Sequence, residues 1–295
     1  MELPENPNLP YFAYGLFKPN ELAYNQINKF VEKIPVSMTI NNSHLWIRDG
    51  LPIIHFHSGG QVVGYEITFR EGNHKDAYNA ITQFVSIGDI SLYEWDVLKL
   101  VDDKGKLIKN MNVLTWQKSS KFSEDNIMEE WSANSDPMFT DAMKIIKKKI
   151  DNHAQCVFAI DPFEWNQFFE LQMAYLLLWT AIERYCSFAY GPFLSSGEKR
   201  RALAVSESFQ EALIKELKGS SHLKRVCVIY DSQNPEKWKK LNAHNPINSI
   251  NYYYFVRCNL AHRGKSEFRD GEIIRLSLIE LFNIFQIVLK QTLFS

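Results

Sequence analysis

From Phe163 to Tyr190 the chain contains no residue that stops a helix, and its apolar positions leave no side that could face water. Asp161-Pro162 supplies an N-cap and first-turn pair, and Gly191-Pro192 ends the run. Phe168, Phe169, Leu171, Met173, Leu176, Leu177, Leu178, Trp179, Ile182 and Tyr185 cover nearly the whole circumference of such a helix. A helix apolar on all sides must be covered on all sides, by a bundle of its own and by a second subunit where the bundle falls short. The strongly apolar part, Leu171 to Ile182, is flanked by Glu170 and Glu183 and is too short to span a bilayer.

The neighbouring sequence supplies that bundle. Ser195/Ser196 to Lys218 reads as one helix with Ser196 capping and Glu198 in its first turn. A further helix starts at Asn248 or Ser249, and Glu272 to Phe294 closes the set. Four or five helices make an all-α bundle, with only Val226 to Tyr230 as a short apolar run of mixed character. Asp141 to Ile150 is an amphipathic basic helix whose lysines form a solvated face.

Residues 10–116 follow a different period. Tyr11–Tyr14, Val36–Ile40, Ser43–Ile47, Leu51–His57 and Val62–Phe69 are strand-like, and Ser58-Gly-Gly-Gln61 reads as a hairpin turn. His74–Phe84 has helical spacing; Ser91–Val101 and Ile108–Gln117 flank the turn Asp102-Asp-Lys-Gly105 as a second hairpin. Many strands around one or two helices predict a small mixed barrel. His55 and His57 share one strand face as half of a metal site, but no third ligand is near in sequence, so none is assigned. Trp116 to Phe139 turns polar and loop-like. The predicted organisation is therefore an α+β barrel over 1–120, a linker with the amphipathic helix over 121–155, and the helical domain over 156–295. A length of 295 residues allows two such cores, and an apolar content of 45% marks both as globular.

A formal charge of −1 excludes a global basic field, so any nucleic-acid contact rests on local patches. The four cysteines, Cys156, Cys186, Cys227 and Cys258, form no C-x-x-C pair, which fits a reducing compartment. The first residues have neither a basic nor an apolar leader region, and a cytoplasmic location without membrane contact is expected.

The chemistry gathers in Tyr252-Tyr-Tyr-Phe-Val-Arg-Cys-Asn-Leu-Ala-His-Arg-Gly264. On a helix Asn259 and His262 are neighbours one turn apart, while Arg257 lies about 140° from His262 and reaches the same cleft only through its long side chain. A guanidinium that fits a phosphate, an amide and an imidazole are the minimal set for proton transfer beside a phosphodiester. Arg257-x-Asn259-x-x-His262 resembles the R-x4-H motif of HEPN domains, small helical bundles of toxins and defence proteins, many of them metal-independent ribonucleases. The resemblance implies Arg257, Asn259 and His262 as catalytic residues. It also implies an acidic partner on an early helix, for which Glu183 is the candidate, a structural ion pair being the alternative. It further implies single-stranded RNA as substrate, no cofactor and no metal, a homodimer through the helical domain, and an antitoxin or regulatory partner. Lys199, Arg200 and Arg201, Lys237, Lys239 and Lys240, and Arg263 are the basic residues expected to guide RNA.

A second resemblance covers about 110 residues. Pro10-Tyr-Phe-Ala-Tyr-Gly-Leu-Phe-Lys-Pro-Asn-Glu21, Arg48-Asp-Gly-Leu-Pro52 and Val63-Gly-Tyr-Glu-Ile67 resemble, in order, segments of gamma-glutamylcyclotransferase-like (AIG2-like) domains. That resemblance implies a pocket at Tyr14, Gly15, Leu16 and Phe17. The family's catalytic glutamate falls at Val85, which carries no proton, and its loop hydroxyl falls at Leu16. Cyclotransferase activity is therefore expected to be lost, leaving a sensing or regulatory barrel, unless Glu66 or Glu94 substitutes. Three functions stay open: an antiphage- or toxin-type endoribonuclease, a non-catalytic HEPN protein that binds RNA or a partner, and a cyclotransferase with a helical appendage.

Overall fold

The computed structural model describes residues 1–48, 50–88, 90–101, 106–116, 127–153, 165–219, 228–231, 234, 236–263 and 268–294; the side chains at 48, 57, 58, 116, 127, 219, 261–263 and 268–270 lie outside that description. Two compact units emerge. The first is Met1–Asp136 with Phe188–Phe193, and the second is Pro137–Ser187 with Leu194–Ser295.

The first unit contains β1 (Tyr11–Ala13), β2 (Val36–Arg48), β3 (Leu51–Ile67), α1 (His74–Val85), β4 (Ser86–Ile87), β5 (Ile90–Ser91), β6 (Tyr93–Val101), β7 (Leu107–Trp116) and β8 (Ile127–Met128). Its main sheet runs β6-β7-β1-β3-β2-β8, and a further β7–β3 pairing closes a five-stranded barrel. The expected small mixed barrel is present. The hairpin expected at Ser58–Gln61 is not. There β3 runs on while its register against β2 passes from Ser43↔Phe56 to Asn41↔Gln61, a bulge in which Asn42 (φ 56°) and Gly59 (φ 98°) take left-handed backbone. The chain reverses earlier, where Arg48 pairs Leu51 and Gly50 has φ 76°. The turn expected at Asp102–Gly105 lies outside the described residues, although β6 and β7 pair antiparallel up to Val101↔Leu107.

Part of the polar stretch read as linker belongs to this unit. Ile127 and Met128 pair with Trp46 and Leu45 at the sheet edge. Inside the barrel Phe12, Ala13, Ile53, Val62, Ile67, Tyr78 and Ile81 are buried. β1 can pass β3 so closely only because Gly64 has no side chain: a Cβ there would come within 2.5 Å of the Phe12 ring and 2.7 Å of the Ala13 carbonyl oxygen.

The second unit holds α2 (Asp141–His153), α3 (Trp165–Tyr190, whose last residues fall in the first unit), α4 (Ser196–Val205), α5 (Glu207–Gly219), β9 (Val228–Tyr230), β10 (Trp238–Lys240), α6 (Pro246–Arg263) and α7 (Phe268–Thr292). The helical region is as expected, with three corrections. It is not all-α, since β9 and β10 form an antiparallel hairpin packed on α6. Its amphipathic α2 is no linker: Ala142, Met143, Ile146 and Ile150 are buried and α2 packs on α7. The single helix expected from Ser195/Ser196 to Lys218 breaks at Ser206, whose extended backbone (ψ 139°) and hydroxyl, bonded to the Leu203 carbonyl at 2.7 Å, end α4.

α3 is covered on most of its circumference; Trp165 (45% exposed), Phe169 (48%) and Met173 (61%) form the open stripe. The cap expected at Asp161-Pro162 lies outside the described residues. The one acid in the core of this unit, among the described residues, is Glu280 of α7, which accepts a hydrogen bond from the Tyr253 hydroxyl of α6 at 2.9 Å and so pins those helices in register. No described helix is long and apolar enough to cross a membrane.

Gly64→Ala is expected to lower the stability of the first unit by about 1–3 kcal/mol, because the extra methyl must displace a ring or a carbonyl. Gly197→Ala, where a Cβ meets nothing closer than 3.9 Å, serves as the control in denaturant unfolding.

Candidate functional site

The polar residues of the second unit converge on one face of α6. Pro246 opens that helix with a fixed φ suited to its first turn, rather than Asn248 or Ser249. At roughly 100° per residue, Asn251, Tyr254 and Cys258 form one stripe, the position of His262 continues it, and Arg257 borders it. α4 is set against this stripe by a capping box. The Ser195 hydroxyl accepts from the Glu198 N–H at 3.3 Å, and the Glu198 carboxylate accepts from the Ser195 N–H at 2.9 Å. Ser195, not Ser196, is therefore the cap, and Ser196 is freed for another contact.

That contact involves Arg200. Its Nη1 donates to Ser196 Oγ at 2.9 Å, its Nε donates to Asn251 Oδ1 at 3.0 Å, and its Cζ lies 3.5 Å from the centre of the Tyr254 ring. Ser196 in turn donates to Glu183 Oε1 at 3.4 Å, and the Trp179 ring meets Tyr254 edge-on at 5.5 Å. Burial lowers the Arg200 pKa from its ordinary value, while Tyr254, Cys258 and Glu183 oppose that shift. The guanidinium thus stays a cation held flat on an aromatic face. Neither Asn251 nor Tyr254 was singled out from the sequence. Their spacing on α6 was readable, but nothing in the sequence paired them with an arginine of α4.

Arg257 stands differently. It is half-buried, its Cζ lies 5.8 Å from the Tyr254 ring centre, and among the described residues no hydrogen bond or ion pair engages it. Glu183, the expected partner of Arg257 or His262, reaches Arg200 through Ser196 instead. Asn259 points away from Arg257. Its Nδ2 donates to the Tyr230 carbonyl of β9 at 3.0 Å, and its buried Oδ1 has no partner among the described residues. The backbone of His262 and Arg263 lies in α6, but their side chains fall outside the described set.

The basic start of α4 does not form one patch, since successive helical residues point in different directions. Lys199 Nζ donates to Ser187 Oγ at 2.8 Å, Arg200 is occupied as above, and only Arg201 is exposed. Lys237 and Lys240 are exposed and Lys239 is half-buried on the β9–β10 hairpin. Cys186, beside this cluster, is buried and its thiol is pushed up to about 12, so it is no nucleophile.

In the first unit the expected pocket residues are core. Tyr14, Leu16 and Phe17 are buried, the Tyr14 hydroxyl donates to the Leu114 carbonyl at 2.6 Å, and a Cβ on Gly15 would meet Pro52 at 2.6 Å. Val85 is buried at the end of α1, Glu66 is ion-paired with Lys109, and His55 stacks on Trp46 at 4.7 Å. Among the described residues no three of His, Cys, Asp or Glu form a group able to hold a metal.

The loop after β1 instead carries a latch built on two buried charged residues, Lys18 and Glu21. Lys18 Nζ meets Glu130 Oε1 at 3.0 Å, and Glu21 Oε2 accepts from the Ala133 N–H at 3.1 Å. Desolvation raises the Glu21 pKa above its ordinary 4.5, against the hydrogen bonds from Ser132 and Ala133 and the charge of Lys18. A carboxyl whose folded pKa is raised supports the fold most below the unfolded value and loses that support as pH climbs through the folded value.

Three outcomes are expected. Thermal melts of Glu21→Gln and wild type should coincide most nearly at about pH 4 and diverge in the variant's favour as pH rises toward 7. Arg200→Ala, which strips Asn251 and Ser196 of their donor, should cost about 1–3 kcal/mol of folding stability. Arg257→Ala, half-buried but without such bonds, should stay within about 0.5 kcal/mol of wild type in the same unfolding titration. Comparison of the chain with protein-family models, with characterised proteins and with solved structures returned no match.

Proposed function

We propose that the helical unit is a HEPN-type endoribonuclease that cleaves single-stranded RNA by attack of a ribose 2′-hydroxyl on the adjacent phosphorus; the phosphorus–5′-oxygen bond breaks, the 5′-oxygen leaves with a proton from water, and a 2′,3′-cyclic phosphate remains. The observation that carries this reading is Arg257: a half-exposed guanidinium with its hydrogen-bonding fork unengaged by any described residue, beside a second guanidinium already fixed on Tyr254. Such a group fits a phosphate and stabilises its developing charge. His262, on the stripe that bears Asn251, Tyr254 and Cys258, takes the 2′-hydroxyl proton as general base. Asn259 gives one Nδ2 hydrogen to Tyr230, and its Oδ1, unengaged by any described residue, is an acceptor that suits an imidazole N–H one turn on. Only RNA supplies the 2′-hydroxyl.

On this reading Glu183 acts at one remove, through Ser196 and Arg200, rather than on the motif itself. A second copy of the chain covers the stripe of Trp165, Phe169 and Met173 as a homodimer. The barrel is an AIG2-like unit without cyclotransferase chemistry, consistent with the buried Val85 and the paired Glu66, and serves to restrain or trigger the nuclease in a toxin- or defence-type effector.

Labelled single-stranded RNA, with and without EDTA, tests the proposal. Cleavage should persist in EDTA, and His262→Ala should reduce it by about 10²–10⁴-fold with the fold retained. Arg257→Ala should be impaired as well. Equal cleavage by His262→Ala would remove the assigned base, and RNA bound but uncut by the wild type would leave a non-catalytic binding protein.

A further inference from the structure

The β9–β10 hairpin carries two aromatic rings that the other described residues leave exposed. Its register sets Trp238 opposite Tyr230, Lys239 opposite Ile229 and Lys240 opposite Val228. Side chains alternate across a strand, so Ile229, which is buried, marks the inner face, while Tyr230 (56% exposed) and Trp238 (54% exposed) share the outer one. Directly opposed residues on one face have Cβ atoms about 5 Å apart, so the two aromatic side chains leave the hairpin from neighbouring points. Lys240, two residues from Trp238, belongs to the same outer face, and Lys237 is exposed at the strand's start. The acids of the hairpin, Asp231 and Glu236, stand at its turn end, where the Asp231 N–H donates to the Lys237 carbonyl at 2.8 Å. The hairpin is not a loose appendage, because Asn259 of the motif helix donates to the Tyr230 carbonyl at 3.0 Å.

Flat apolar faces bordered by ammonium groups match a polyanion that offers flat apolar faces of its own. A duplex keeps its bases stacked inside; a single strand presents them. We propose that the outer face of this hairpin is a stacking platform for unpaired bases of single-stranded RNA, with Tyr230 and Trp238 each taking a base and Lys237 and Lys240 neutralising the neighbouring phosphates. The platform deepens the nuclease reading and rests on it for the choice of RNA. Anchored through Asn259, it delivers the strand to the helix that carries Arg257 and His262.

The test uses the full chain and a fluorescent 2′-O-methyl oligouridine of about 12 nucleotides, which stacks but offers no 2′-hydroxyl for attack. Anisotropy titrations at low salt should show Trp238→Ala weakening binding roughly 5- to 100-fold and Tyr230→Ala weakening it too, with Trp238→Phe nearly restoring wild-type affinity. Lys240→Gln should reduce the salt slope of binding by about one. A duplex of the same length should bind more weakly than the single strand. Both rings are exposed, so equal melting temperatures will show that the variants fold; should Trp238→Ala melt early, the Phe and Gln variants decide. Wild-type affinity in a Trp238→Ala/Tyr230→Ala double variant would overturn the platform, as would tighter binding of the duplex. The two proposals separate cleanly. Hairpin-dependent binding without cleavage of unmodified RNA keeps the platform and removes the nuclease. Arg257-dependent cleavage with full binding by the double variant keeps the nuclease and removes the platform.

Discussion

The stacking of Arg200 on Tyr254 organises the second unit. One guanidinium joins three helices: α4 carries it, α6 supplies the ring and the Asn251 acceptor, and α3 is tied in through Ser196 and Glu183. A cation in that position is expensive to desolvate, and it is tolerated because its donors meet oxygens and its face meets an aromatic ring. With those places taken, Arg257, one turn on from Tyr254, keeps only a longer contact with that ring at 5.8 Å, and among the described residues no hydrogen bond or ion pair engages it. One arginine tied by hydrogen bonds and one without them thus meet the same Tyr254 ring.

The first unit solves a different problem. Its core is continuous and apolar, and its long β2–β3 pair bends over a bulge rather than turning, so the barrel closes without an extra loop. The stretch Tyr14–Phe17, where a pocket was expected, and the residues that follow it are spent on structure. Its aromatics fill the barrel, and Lys18 and Glu21 fasten residues 130–133. A buried acid is an unusual fastener, since it holds best when it carries its proton.

Much of this architecture was legible in the residues. The change from alternating to helical period near residue 120 marked the two regions, and α1, α3, α6 and the β6–β7 pair lie close to where their apolar spacing put them. The misreadings share a cause, which is that local signals were outweighed by distant partners. Gly59-Gly60 was taken as a turn, although the Asp-Gly of residues 49–50 is the stronger short-range hairpin signal. Ser206 hid inside a helical pattern because one serine rarely ends a helix unless its hydroxyl finds a carbonyl, as it does here at Leu203. Charge runs were also misleading: Lys199, Arg200 and Arg201 are adjacent in sequence yet diverge in space. The partnership of Arg200 with Tyr254 depends on tertiary packing that no spacing rule contains.

The break at Ser206 divides labour between two short helices. α5 packs on α7 and shares in the hydrophobic heart of the bundle, whereas α4 leans on α6. Ten residues form too little helix to persist alone, so α4 is held by its serine cap and by the arginine it carries. Its opening, as a small cooperative piece while α5 and α7 stay paired, would strip the Tyr254 ring of its cationic cover and release the tie between α3, α4 and α6.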